Sequence, residues 1–135
     1  MDKIKHTNGK HEAIRYLKNA RELLYKSPIE DNRFTDIKYV REACGTAYLA
    51  ILEAIDNYLV EKKGFSQKEL PKSVEEYRAI LHKHFASQNG KLLGQFSSLY
   101  KELHIAGYYQ GLLEHVNAVK LIFQSAETFI KRFQN

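Results

Sequence analysis

Ile37, Val40, Cys44, Ala47, Ile51, Ala54 and Tyr58 follow one another at alternating steps of three and four residues, with no proline between them. That spacing puts all of them on one stripe of an α-helix and is incompatible with a strand, whose faces recur every second residue. A stripe about six turns long is not stable alone in water, so it calls for partner helices that bury it. The run stops at Lys62-Lys63-Gly64, where basic residues meet the negative end of the helix dipole and glycine suits a left-handed cap.

A second seam of the same kind, Leu112, Val116, Val119, Phe123, Ala126, Ile130 and Phe133, predicts a last helix from about Tyr109 to Phe133. Its length makes it a natural antiparallel neighbour of the first seam. Three shorter segments complete the reading. A first helix from about Lys10 to Lys26 carries Ala13, Leu17, Ala20 and Leu24, with Ile14 and Leu23 widening the stripe, and ends at Ser27-Pro28. Ile29 to Asn32 reads as a polar loop, and Phe65 to Lys72 as a connector. Ser73 with Glu76 forms a capping box that opens a third helix, with Val74, Tyr77, Leu81 and His84 on one side and Ile80 and Phe85 close by. Asn89-Gly90 stops it. A fourth helix, about Lys91 to Leu103, shows Leu92, Phe96, Leu99 and Leu103, and a break is expected around Ala106-Gly107. The fold class is therefore all-α, an up-and-down bundle of about five helices, as one domain over 1–135 with 1–9 a flexible basic arm.

Composition agrees and narrows the setting. Only two prolines interrupt 135 residues, and one cysteine, Cys44, precludes an internal disulfide and is expected to pack as a small buried hydrophobe. No apolar stretch approaches the roughly twenty residues that cross a bilayer, and Met1 to Lys10 lacks the apolar core of a signal peptide. A cytoplasmic protein with no membrane contact is expected. The net charge of +5 is concentrated at the start of the chain, where residues 1–26 hold seven Lys or Arg against three acidic side chains. Arg15, Lys18 and Arg21 share roughly one side of the first helix and could attract phosphate; the same residues also suit a solvated face.

No phosphate-binding glycine loop, zinc-type cysteine pair or EF-hand loop is present, so neither cofactor nor metal is expected. Histidine carries the remaining chemistry. His6 and His11 read as exposed. Arg78 and His82 lie four apart, a spacing that would let a guanidinium hold phosphate while an imidazole moves a proton; His84 falls on another face. Their alternative is a solvated pair with His84 at the core edge. His104, beside Tyr108 and Tyr109, forms a second cluster that suits either anion binding or a packing corner.

Ala13-Ile14-Arg15-Tyr16-Leu17-Lys18-Asn19-Ala20-Arg21-Glu22-Leu23-Leu24, the small-residue run Ala43-Cys44-Gly45-Thr46-Ala47-Tyr48-Leu49-Ala50 and the segment Leu99 to Tyr109 together resemble the HEPN superfamily of nucleotide-binding helical domains. The resemblance implies a homodimer associated with nucleotide, RNA or a protein partner. Many members are ribonucleases that pair an Arg with a His after four to six intervening residues. Before His104 that place is held by Ser97, Ser98 and Leu99, whereas Arg78 and His84 have the spacing one helix earlier. The expectation is a non-catalytic binding or interaction module, with Arg15, Lys18, Arg21, His104, Tyr108 and Tyr109 as binding residues. The alternatives are a metal-independent ribonuclease using Arg78 with His82 or His84, and a purely structural helical adaptor.

Overall fold

The long seam becomes the centre of the molecule. A computed structural model describes residues 9–85 and 90–134, with side chains from Glu12 onward in the first helix. Its elements are α1 (Gly9–Leu24), a two-stranded hairpin of β1 (Ile29–Glu30) and β2 (Arg33–Phe34), α2 (Ile37–Lys63), a 3₁₀ turn (Gln67–Glu69), α3 (Val74–His84), α4 (Lys91–Leu99), a π-helix (Tyr100–Tyr109) that continues α4, and α5 (Val116–Arg132). The architecture is an all-α bundle of about five helices, and among the described residues no helix is long and apolar enough to cross a membrane. The arm at 1–8 with His6, the side chain of His11, and Asn89 lie outside the described residues.

α2 buries Val40, Ala43, Cys44, Ala47, Tyr48, Ala50, Ile51, Ala54, Ile55 and Leu59, a wider face than one seam requires. This breadth follows from its neighbours: α1 covers it most extensively, the π-helix next, and α5 less; α5 has 17 residues against the 27 of α2, so the two are neither matched in length nor principal partners. Asp36 caps α2 by accepting from the Lys38 N–H, and Gly64 closes it in the left-handed region at φ 71°. Ala13, Leu17, Ala20 and Leu24 are buried as the spacing predicts, but Ile14 at the edge of that stripe remains exposed. Cys44 is buried. Ile37, the first residue of α2 and the first member of its seam, is exposed.

Two local expectations are corrected. The segment after Pro28 is a hairpin, since Asp31 and Asn32 both take positive φ, 50° and 62°, and these two-residue turns match the twist of paired strands. Its two-residue strands are too short to leave an alternating pattern in sequence. The hairpin is held from below: Phe34 N–H donates to the Glu114 carbonyl at 2.8 Å, Val116 N–H to the Asn32 carbonyl at 2.9 Å, and Arg33 pairs with Glu114.

The second correction concerns Ala106-Gly107, where the helix does not break. It runs as a π-helix to Tyr109, and the interruption comes at 110–115, so Leu112 is exposed and lies before the last helix. Gly107 serves contact here. A Cβ on it would lie 2.6 Å from Cys44 Sγ and 2.7 Å from Cys44 Cβ, closer than atoms can approach. One residue along each helix, a Cβ on Gly45 would meet the Tyr108 ring at 2.9 Å. Small residues on both helices thus let the π-helix lie directly on α2. Replacing Gly107 with Ala should therefore overpack this contact and cost about 1–3 kcal/mol, read as a lower midpoint in urea unfolding followed by circular dichroism. An unchanged midpoint would mean that the two helices can separate freely.

Candidate functional site

Side chains four residues apart on the π-helix line up in a row on one face, against α2. Tyr100 and His104 have ring centroids 5.4 Å apart at 27°, and His104 and Tyr108 are 5.9 Å apart at 16°. Near-parallel rings at these separations are offset stacks. Tyr48 on α2 backs the row, 5.0 Å from His104 and 5.8 Å from Tyr100. Tyr109 meets His104 edge-on at 6.4 Å. The row passes from half-buried Tyr100 and His104 to exposed Tyr108 and Tyr109, at 47% and 69% exposure. Beside it lies an open depression of about 450 Å³, lined by Glu42, Gly45, Thr46, Tyr48, Leu49, His104 and Tyr108.

A guanidinium stands at each end of the row. The Arg78 side chain reaches from α3 over the Tyr100 ring, 5.4 Å from its centroid, and its buried Nε has no hydrogen-bond partner. Arg41 donates from Nε to the Tyr108 carbonyl and from Nη2 to the Tyr109 carbonyl, both at 2.9 Å, capping the π-helix at its negative end. Neither forms an ion pair with a carboxylate among the described residues. Burial pushes the Tyr48 phenol up to about 12, with Tyr100 adding to the shift and the Arg78 charge opposing it. The row is thus an aromatic surface with a guanidinium at each end.

Arg78 owes its position to the residue before it. Tyr77 is buried, stacks on Phe96 at 6.0 Å, and donates its hydroxyl to Asp56 Oδ1 at 2.8 Å, which ties α3 to α2. The Ser73 cap opens α3 as expected, with its hydroxyl accepting from the Glu76 N–H. The Glu76 carboxylate reaches Lys72 N–H as well as the Ser73 hydroxyl.

The other sequence candidates are scattered. His82 is exposed, and His84 sits edge-on to Phe65 at 5.8 Å, where desolvation, helped by Lys63 and Lys83, lowers its pKa. Arg78 points instead to the row that contains His104, so the three candidates of α3 do not converge. On α1, Arg15 pairs with Glu12 and Arg21 with Glu127, each at 2.7 Å, while Lys18 has no ion pair among the described residues. Arg41 was not singled out by sequence, because its role depends on carbonyls 67 and 68 residues away. A separate groove of about 710 Å³ between α4 and α5 holds Gln95, whose buried Oε1 has no partner, and Glu102, raised in pKa by burial. Among the described residues no group of three His, Cys, Asp or Glu side chains could hold a metal ion.

Asp56 makes the anchor of α3 sensitive to pH. Burial raises its pKa from 3.8 to about 6, overriding the hydrogen bond from Tyr77, which acts the other way. The folded state therefore favours the protonated acid, and that contribution is complete below about pH 4 and is lost as pH rises through about 6. Asp56→Asn keeps an acceptor for Tyr77 without ionising. Relative to the unmodified protein it should gain about 2–3 kcal/mol of stability between pH 4 and 7, measured by urea unfolding at each pH. A constant difference across that range would show that Asp56 ionises normally in the folded chain.

The comparisons with known proteins agree with the all-α description without adding an activity. A solved structure described as a protein of unknown function from Dyadobacter fermentans superposes with a TM-score of 0.76 at 38% identity, covering 94% of each chain. No curated protein matches the chain. The family model described as "Domain of unknown function (DUF5618)" matches residues 8–135, and the chain belongs to that family.

Proposed function

We propose that this protein is a non-catalytic, HEPN-like binding module that engages nucleotide or RNA through the Tyr100–His104–Tyr108 row, and that it works as a homodimer. The observation that carries the reading is the combination of stacked, increasingly exposed rings with a guanidinium at either end that pairs with no carboxylate among the described residues. Bases of a single strand stack on such rings whatever their sequence, and arginines beside them take the phosphates. Arg15 and Arg21 of the first helix already hold carboxylates, so Lys18 and the basic arm contribute general attraction more than a defined contact.

Cleavage would require an acid–base group held against a stabiliser of the developing charge. Arg78 lacks that partnership with His82 or His84, since the latter packs on Phe65. The reading as a dimer draws on exposed Tyr109 and Leu112, whereas Phe65 and Leu113 already pack against the core within one chain.

A fluorescently labelled eight-nucleotide single-stranded RNA should bind the full chain without being cut, and binding should weaken steeply as salt rises. Tyr108→Leu keeps apolar cover over Gly45 but removes the π face; it should cost about 1–3 kcal/mol, roughly five- to a hundredfold in Kd by anisotropy. The pair Arg15→Ala and Arg21→Ala should have a smaller effect. RNA cleavage that disappears in Arg78→Ala or His84→Ala would replace this reading with a ribonuclease. For the dimer, light scattering should give twice the chain mass at micromolar concentration; a monomer mass at high micromolar concentration would refute it.

A further inference from the structure

The depression beside Tyr108 has one acid on its wall, Glu42, and the rest is aromatic, aliphatic or hydroxyl. Among the described residues no cation pairs with that carboxylate. Its neighbour Arg41 is committed to the carbonyls of Tyr108 and Tyr109, and the Thr46 hydroxyl donates to the Glu42 backbone carbonyl at 2.9 Å instead of the side chain. An ionised carboxylate only accepts hydrogen bonds, so this wall asks its ligand for donors.

The geometry points to guanine as the ligand of this depression, with its ring against the exposed face of Tyr108 and its Watson–Crick edge toward Glu42. This assignment rests on the nucleotide-binding reading above and makes it specific. Guanine alone among the four RNA bases carries two adjacent donors on that edge, N1–H and the N2 amino group, which match the two oxygens of a carboxylate. Adenine and cytosine set a ring acceptor next to their single amino group, and uracil sets a carbonyl on each side of its N3–H. Each of these turns a lone pair toward an oxygen of Glu42, which repels it. A volume of about 450 Å³ accommodates a base with its sugar. Arg41, fixed on the carbonyls of Tyr108 and Tyr109, keeps its remaining N–H groups for a phosphate.

Isothermal titration of the full chain with guanosine, adenosine, cytidine and uridine 5′-monophosphates tests this, together with two eight-nucleotide RNAs that differ by one guanine. The guanine ligand of each set should bind roughly tenfold more tightly than the others, the usual scale of one bidentate base contact. Glu42→Gln, an exposed change, should abolish the preference, while Tyr108→Leu should weaken every ligand. A preference in both sets supports recognition of the free nucleotide; a preference in the RNA pair alone assigns the same guanine contact to a strand. Equal affinities in the unmodified protein, or a preference that survives Glu42→Gln, would overturn the guanine assignment while leaving nucleotide binding intact if Tyr108→Leu still weakens it. Failure to bind any of the six ligands would overturn both.

Discussion

The structure depends on how closely the π-helix lies on α2. At Gly107 the separation is set by the sulfur and Cβ of Cys44, and at Gly45 by the ring of Tyr108, so neither helix could carry a larger residue there without moving the other. Backbone contact of this kind gives up side-chain burial on the contacting residues, and the loss is offset by the packing of their neighbours: Leu99, Leu103, Ala47 and Ile51 are all buried. Because the two helices cannot drift apart, rings four residues apart on one of them have a fixed backing on the other, and Tyr48 fills that place.

The local use of a π-helix fits this arrangement. Its wider turn lengthens the hydrogen-bonding pattern over Tyr100–Tyr109, directly where the row of rings stands. Arg41 then closes the last carbonyls, at a point where an ordinary helix would find a glycine cap or water. Tyr77 and Asp56 do the corresponding task for α3, and through it for Arg78. The aromatic row is thus supported by three helices, although its own residues come from a single one apart from Tyr48.

Much of the fold was readable in the chain because helical periodicity is a local property. The seam from Val40 to Ala54, the stripe Ala13-Leu17-Ala20-Leu24 and the series Leu92-Phe96-Leu99-Leu103 are buried as their spacing implies, and the bounds of α2 coincide with Ile37 and Lys63. Gly107 misled because a glycine weakens a helix and also permits close contact, and only the position of Cys44 decides between the two. His104, Tyr108 and Tyr109 were identifiable as a cluster from sequence proximity. Joining them to Arg78 and Arg41 was not possible, since those contacts cross from one helix to another. The pairing of Arg15 with Glu12 joins residues three apart on one helix, whereas that of Arg21 with Glu127 spans most of the chain and leaves no local trace.

The hairpin at Asp31-Asn32 has a consequence for the order of assembly. α1 and α2 are neighbours in sequence and can pair early, when only short loops need to close. The hairpin completes its bonds to Glu114 and Val116 only after more than eighty further residues are in place. Those bonds hold the segment between Tyr109 and α5, so during synthesis from the amino end that connection is among the last features to acquire its final path. A chain halted before Val116 would already possess its main helical pair and every residue of the aromatic row, and would still lack the bond that closes the hairpin onto the start of α5.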